Sequence, residues 1–179
     1  ARAIHDILRD GDFVDRELAA KAEDFIRAFA WPLLVQGAGL ARLTGSKLEL
    51  TKTGRTALTR PIYETIRHAW KQWLNTKIID EFNRVEAIKG QNRKGRGGLT
   101  AVAARRTAVH NMLAACPANQ WIDIDEFFRY CEASGAKLNV THDPWNLYIA
   151  HAEYGSLGYE GFHNWSMIQG RYVMALLWE

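Results

Sequence analysis

Cysteine and proline are scarce in this chain: 179 residues hold two cysteines, Cys116 and Cys131, and four prolines. Two thiols without CxxC spacing exclude a disulfide framework and a zinc ribbon, and point to reduced thiols in a cytoplasmic protein. No run is long and apolar enough to span a bilayer, and the stretch from Ala1 to Asp10 lacks the apolar centre of a signal peptide, so no membrane partner is expected. Catalytic punctuation is missing too. The Gly-rich run Gln91-Asn92-Arg93-Lys94-Gly95-Arg96-Gly97-Gly98 lacks the Gly-Lys-Ser/Thr ending of a phosphate loop, and no serine sits in a GxSxG elbow. His142, His151 and His163 share a region but not a metal-ligand spacing. Asp123, Asp125 and Glu126 read as helix-capping carboxylates rather than a catalytic pair. The chain is therefore read as not an enzyme, with no metal and no cofactor.

What is present begins with charge. Residues 1–41 carry 5 Lys/Arg against 7 Asp/Glu, residues 42–106 carry 15 against 5, and residues 121–179 carry 3 against 8. A net +3 thus conceals a basic segment between two acidic ones. Clustering of this kind is the footprint of a polyanion contact, and equally that of a solvated helix face followed by a basic loop. Hydrophobic residues make up 47% of the chain, enough for cores in one or two small domains.

The punctuation between residues 39 and 55 is the most specific signal. Leu40 to Leu43 and Lys47 to Leu50 flank a Thr-Gly-Ser turn and predict a β-hairpin; Leu50-Thr51-Lys52-Thr53-Gly54-Arg55 then restarts a helix. Upstream, Ile4, Ile7 and Leu8 fit a first short helix, Asp15 caps a second over Arg16 to Ala22, and a third runs from about Glu23, with Pro32 expected to kink or break it. That third helix opens on Glu23 and Asp24 and offers one Arg, a poor set of groups for reading base edges. Downstream, Pro61 fits the first turn of a helix on which Ile62, Ile66, Ala69, Trp70, Trp73, Ile78, Phe82 and Val85 recur, with Gly90 as its cap. Arg67, Lys71, Lys77 and Arg84 add positive charge to it. Thr100 is placed to cap a helix reaching about Ala115 with Val102, Val109, Met112 and Leu113 inward. Trp121 to Cys131 reads as an extended piece and a capped helix, and Ser166 as the cap of a last helix over Met167 to Glu179. Eight aromatics crowd residues 139–179, reading as an irregular region that builds its own core or as a stacking platform.

Helix, hairpin, helix with this ending resembles the wing of a winged-helix domain, and Trp121-Ile122-Asp123-Ile124-Asp125-Glu126-Phe127 resembles the strand and helix of a second such unit. Together with Trp165 to Trp178 and its Gln169-Gly170-Arg171-Tyr172, the order is similar to bacterial helicase-associated winged-helix proteins, related to the region beside the XPB-type helicase core. The resemblance covers about two thirds of the chain and includes no motor motif. It implies association with DNA-processing machinery.

The expected fold is mainly α with small β-hairpins: a winged-helix-like unit over 1–58, a linker helix and basic loop over 59–98, and an incomplete second unit over 99–179. The expected partner is DNA, double-stranded and contacted through phosphates with low sequence specificity. Arg42, Lys47, Lys52 and Arg55 are the candidates on the wing, Arg93, Lys94 and Arg96 on the loop, and Arg105 and Arg106 beyond it. The alternative is a protein-interaction or assembly module using winged-helix surfaces. The final helix is apolar nearly all round, so the natural protein is expected to continue past Glu179 into a strand pair covering it, or the helix to pack inward.

Overall fold

The computed structural model describes residues 2–8, 11–12, 25–84, 88–89, 98–151, 153, 155–159 and 165–178. The chain divides into two compact units, one over 1–79 with 178–179 and one over 80–177. The architecture is mainly helical with small antiparallel sheets.

In the first unit, α1 (Arg2–His5) and α2 (Arg27–Gly37) precede a hairpin of β1 (Ala41–Thr44) and β2 (Lys47–Leu50), followed by α3 (Lys52–Ala57) and α4 (Ile62–Trp73). The start of α2 is capped from outside: the Asp12 carboxylate accepts from the backbone N–H groups of Ile26 at 3.1 Å, Arg27 at 3.2 Å and Ala28 at 2.8 Å. One carboxylate thus satisfies three donors that a helix start leaves unpaired, and its charge suits the positive end of the helix. Pro32 lies inside α2, so of the expected kink or break the break does not occur. Its ring sits one turn and a half from the start, where the loss is a single backbone bond. Phe25 and Ala28 form the core beneath Ile4 and Leu8. The expected helix over Arg16 to Ala22 and its cap Asp15 lie outside the described residues.

The long helix expected over about 60–89 stops at Trp73, and Pro61 stands at its N-cap with ψ of 135°, not inside it. Asn75 and Thr76 are poor helix formers, and the Thr76 side chain lies 2.9 Å from where a Cβ on Gly37 would stand. A short 3₁₀ turn, Glu81–Arg84, follows in the second unit. Its expected cap Gly90 is outside the described residues. Of the stretch over 59–98, α4 falls in the first unit and residues from Asp80 onward in the second.

The second unit holds β3 (Ile88–Lys89), α5 (Val102–Ala114), α6 (Ile124–Ala133), β4 (Tyr148–His151), β5 (Gly155–Tyr159) and α7 (Arg171–Trp178). The three strands pair antiparallel in the order β3-β4-β5. Asp123 caps α6 as expected, its carboxylate accepting from Asp125 and Glu126 N–H at 3.0 and 3.1 Å. Thr100 does not cap α5. Its hydroxyl donates to the Asn139 carbonyl at 2.6 Å, tying the approach to α5 to the residues ahead of β4. Trp121 to Asp123 pair into no strand. Ser166 does not cap α7 either: Ser166–Gly170 is a π-helical turn running into it. Gly170 lets the helix pack closely, since a Cβ there would stand 3.0 Å from the Phe128 ring, whose centroid lies 5.2 Å from that of Trp165. Ile168, Tyr172, Val173 and Leu176 are buried and Leu177 is 47% exposed, so α7 packs inward.

Candidate nucleic-acid interface

The hairpin's register pairs Ala41 with Leu50, Arg42 with Glu49, Leu43 with Leu48 and Thr44 with Lys47. Side chains alternate across a ribbon, so Arg42, Thr44, Lys47 and Glu49 share one face and the leucines the other. The tight turn requires φ of +61° at Gly45, which glycine adopts without strain. On the polar face Arg42 reaches Glu49 at only 3.8 Å, and Thr44 donates its hydroxyl to the same carboxylate at 3.1 Å.

The Leu50-to-Arg55 signature is a brace. Thr51 donates its N–H to the Leu40 carbonyl at 3.0 Å and its hydroxyl to the Gly39 carbonyl at 2.7 Å, and its oxygen accepts from Gly54 N–H at 3.0 Å as the cap of α3. Gly54 runs so close under the hairpin that a Cβ would stand 1.9 Å from the Leu40 carbonyl oxygen. Arg55 Nη1 donates to the Leu50 carbonyl at 2.9 Å, which fixes its stem and leaves the rest of the exposed guanidinium outward. The most specific signal in the sequence thus includes residues that hold the hairpin in place.

Arg42, Lys47, Lys52 and Arg55 are all exposed. Lys47 and Lys52 form no ion pair among the described residues. Lys52 and Arg55 stand three apart on α3, hence on one side of it. Arg60, Arg67, Lys71 and Lys77 are exposed as well, so residues 42–79 present eight cations against the two carboxylates Glu49 and Glu64. Of these, Arg60 went unremarked in the sequence because it sits in a turn rather than on a motif. By contrast, α2 carries Arg27 as its sole charged residue, with one guanidinium nitrogen donating to the Gly11 carbonyl at 3.3 Å.

Arg105 and Arg106 have to be corrected. They are 1% and 0% exposed and therefore closed to a phosphate backbone. Arg105 forks onto Asp80 at 3.1 and 2.6 Å, and Arg106 onto Glu81 with contacts of 2.7, 3.0 and 3.2 Å. The Arg105 guanidinium also lies 5.1 Å from the Tyr172 ring centroid and 5.8 Å from that of Phe82. Burial holds the Tyr172 phenol well above its ordinary range, with the Glu81 carboxylate adding to the effect. These four charges are interior scaffold of the second unit. Arg93, Lys94 and Arg96 lie outside the described residues.

Among the described residues no group of three or more His, Cys, Asp or Glu is placed to hold a metal ion. Asp143 accepts from Trp145 N–H at 3.2 Å and so caps a turn. Both cysteines are free thiols. No helix is long and apolar enough to cross a membrane among the described residues. No protein-family model, curated protein or solved structure matches the chain.

Proposed function

We propose that this chain is a non-catalytic DNA-associated module of winged-helix type, contacting duplex phosphates through Arg42, Lys47, Lys52 and Arg55, with low sequence specificity, inside a DNA-processing protein. The observation that carries the reading is the exposed cationic hairpin and α3, with Glu49 as the one carboxylate among them. Lysine and arginine neutralise phosphates whatever the base sequence, and α2 supplies few groups for the base edges.

Titration of unrelated duplexes across a salt series tests this. Four phosphate contacts release about four counterions, so log K falls against log salt with a slope of about −3.5. Lys47→Glu with Lys52→Glu, two side chains that make none of the brace's hydrogen bonds, should weaken binding at least tenfold and flatten the slope. Absence of binding at low salt, or an unchanged double variant, overturns the proposal.

A second reading, an assembly module, is favoured by one specific observation: α4 buries none of its residues and leaves Ile62, Ile66 and Trp70 exposed.

A further inference from the structure

We propose that the groove between α5 and α6 is a binding site for a small monocarboxylate with an apolar body. It lies wholly in the second unit and is independent of the phosphate contacts proposed for the first.

The groove encloses about 440 Å³, within the range of about 300–1,000 Å³ that holds small ligands. Its long wall is α5. Ala104, Thr107, Ala108, Asn111 and, at the C-cap, Ala115 recur at three- and four-residue steps and so share one side of that helix. Three of the five are alanines, and their small side chains leave the space open. Met112 reaches the groove from the buried side of α5 and is 5% exposed, so it gives an apolar floor anchored in the core. The facing wall is Tyr130 and Ser134 at the end of α6, with Ala136 and Lys137 just after it.

The chemistry of these walls selects the ligand. Lys137 is the one charged residue among the described lining, and no carboxylate is part of it. Glu126, a turn before Tyr130 on α6, is already held by Arg129. Arg105 and Arg106 on α5 are closed inside with Asp80 and Glu81. The side chains of Thr107, Asn111, Tyr130 and Lys137 make no hydrogen bond or ion pair with any described residue, while the Ser134 hydroxyl donates to the Cys131 carbonyl at 3.0 Å. The groove thus offers one positive charge, neutral donors from two hydroxyls and an amide, and an apolar floor. A carboxylate matches one ammonium flanked by neutral donors. A phosphate dianion would leave half its charge unmatched, and a cation would meet Lys137 as a like charge. The alanines, Met112 and the half-exposed Tyr130 ring receive the apolar body.

The probes are cinnamate and octanoate, with cinnamamide and cinnamylamine as neutral and cationic counterparts, titrated into the isotope-labelled full chain and followed by backbone amide shifts. The expected result is a saturable shift at Ala108, Asn111 and Lys137 with either carboxylate. Cinnamate should bind at least tenfold more tightly than cinnamamide, and cinnamylamine not at all. Lys137→Gln should weaken cinnamate at least tenfold, to the level of the amide, with an unchanged far-ultraviolet spectrum showing that the fold survives. Ala108→Leu should close the groove to every probe, and Ala115→Leu, at an exposed position, provides the same test if the first variant does not fold. Saturable binding by neither carboxylate overturns the proposal. So does an amide that binds as tightly as its acid, a Lys137→Gln chain that binds cinnamate as before, or shifts confined to the hairpin and α3.

Discussion

Glu81 and Arg106 are buried together, and this makes their pairing matter most when one partner is taken away. Removing the guanidinium in Arg106→Met leaves a carboxylate with no water and its principal cation gone, and unfolding stability should fall by about 3–5 kcal/mol. Adding Glu81→Leu removes the stranded charge, and the double variant should regain most of the loss in urea unfolding. A double variant as unstable as the single one would mean that the pair's shape rather than its charge holds the site. Cys131 gives a second prediction at this scale. Burial, with a smaller contribution from Cys116, pushes its thiol from 9.0 to about 11. The unfolded chain then ionises first, so the stability is fully present below pH 9 and drains away as pH rises toward 11. The unfolding midpoint should drop across that window, and Cys131→Ala should flatten the drop. Why these residues were misread follows from their chemistry. An Arg-Arg pair in a basic stretch looks solvated, and only the fold brings Asp80 and Glu81, 25 residues earlier, against it.

At the scale of elements, what was legible was local. A Thr-Gly-Ser turn between leucine-bearing segments specifies a hairpin within a few residues, and Asp123 announces α6 because its cap acts two and three positions ahead. What was illegible was decided at a distance. Asp12 caps α2 across 14 to 16 residues, and α4 stops early although its apolar spacing continues. The brace under the hairpin combines both kinds. Thr51→Ala removes a cap and the hydroxyl's tether to the Gly39 carbonyl, while keeping the backbone bond to Leu40, and should cost about 1–2 kcal/mol. Gly54→Ala should cost more, about 2–4 kcal/mol, because its methyl meets a carbonyl oxygen that belongs to backbone and cannot swing aside. Thermal unfolding orders the two, and a Gly54→Ala chain as stable as Thr51→Ala would contradict the close approach to Leu40.

Across the whole molecule the two units differ in what they bury. Among the described residues, the buried apolar ones of the first unit are Phe25, Leu40, Ile79 and four alanines, Ala28, Ala30, Ala38 and Ala41. The second unit buries Phe82, Phe127, Leu138, Leu147, Ile149, Ile168 and Tyr172 among others. Each large apolar side chain removed from water contributes about 1.5–3 kcal/mol, against little for alanine, so the first unit should be the less stable. Its eight exposed cations over residues 42–79 add self-repulsion that salt relieves. Hydrogen exchange should therefore show the amides of α2, β1 and β2 opening at least tenfold faster than those of α5 and α7. The same unit carries the proposed phosphate contacts, and a ligand that binds only the folded form stabilises it in proportion to its occupancy. Saturating a short duplex at low salt should slow exchange in the hairpin and α3 while leaving α5 and α7 unchanged, and raising the salt should return the hairpin to its free rate. Protection appearing first in the second unit would place the contact elsewhere than on the hairpin and α3, and not on Arg105 or Arg106, which are closed inside it.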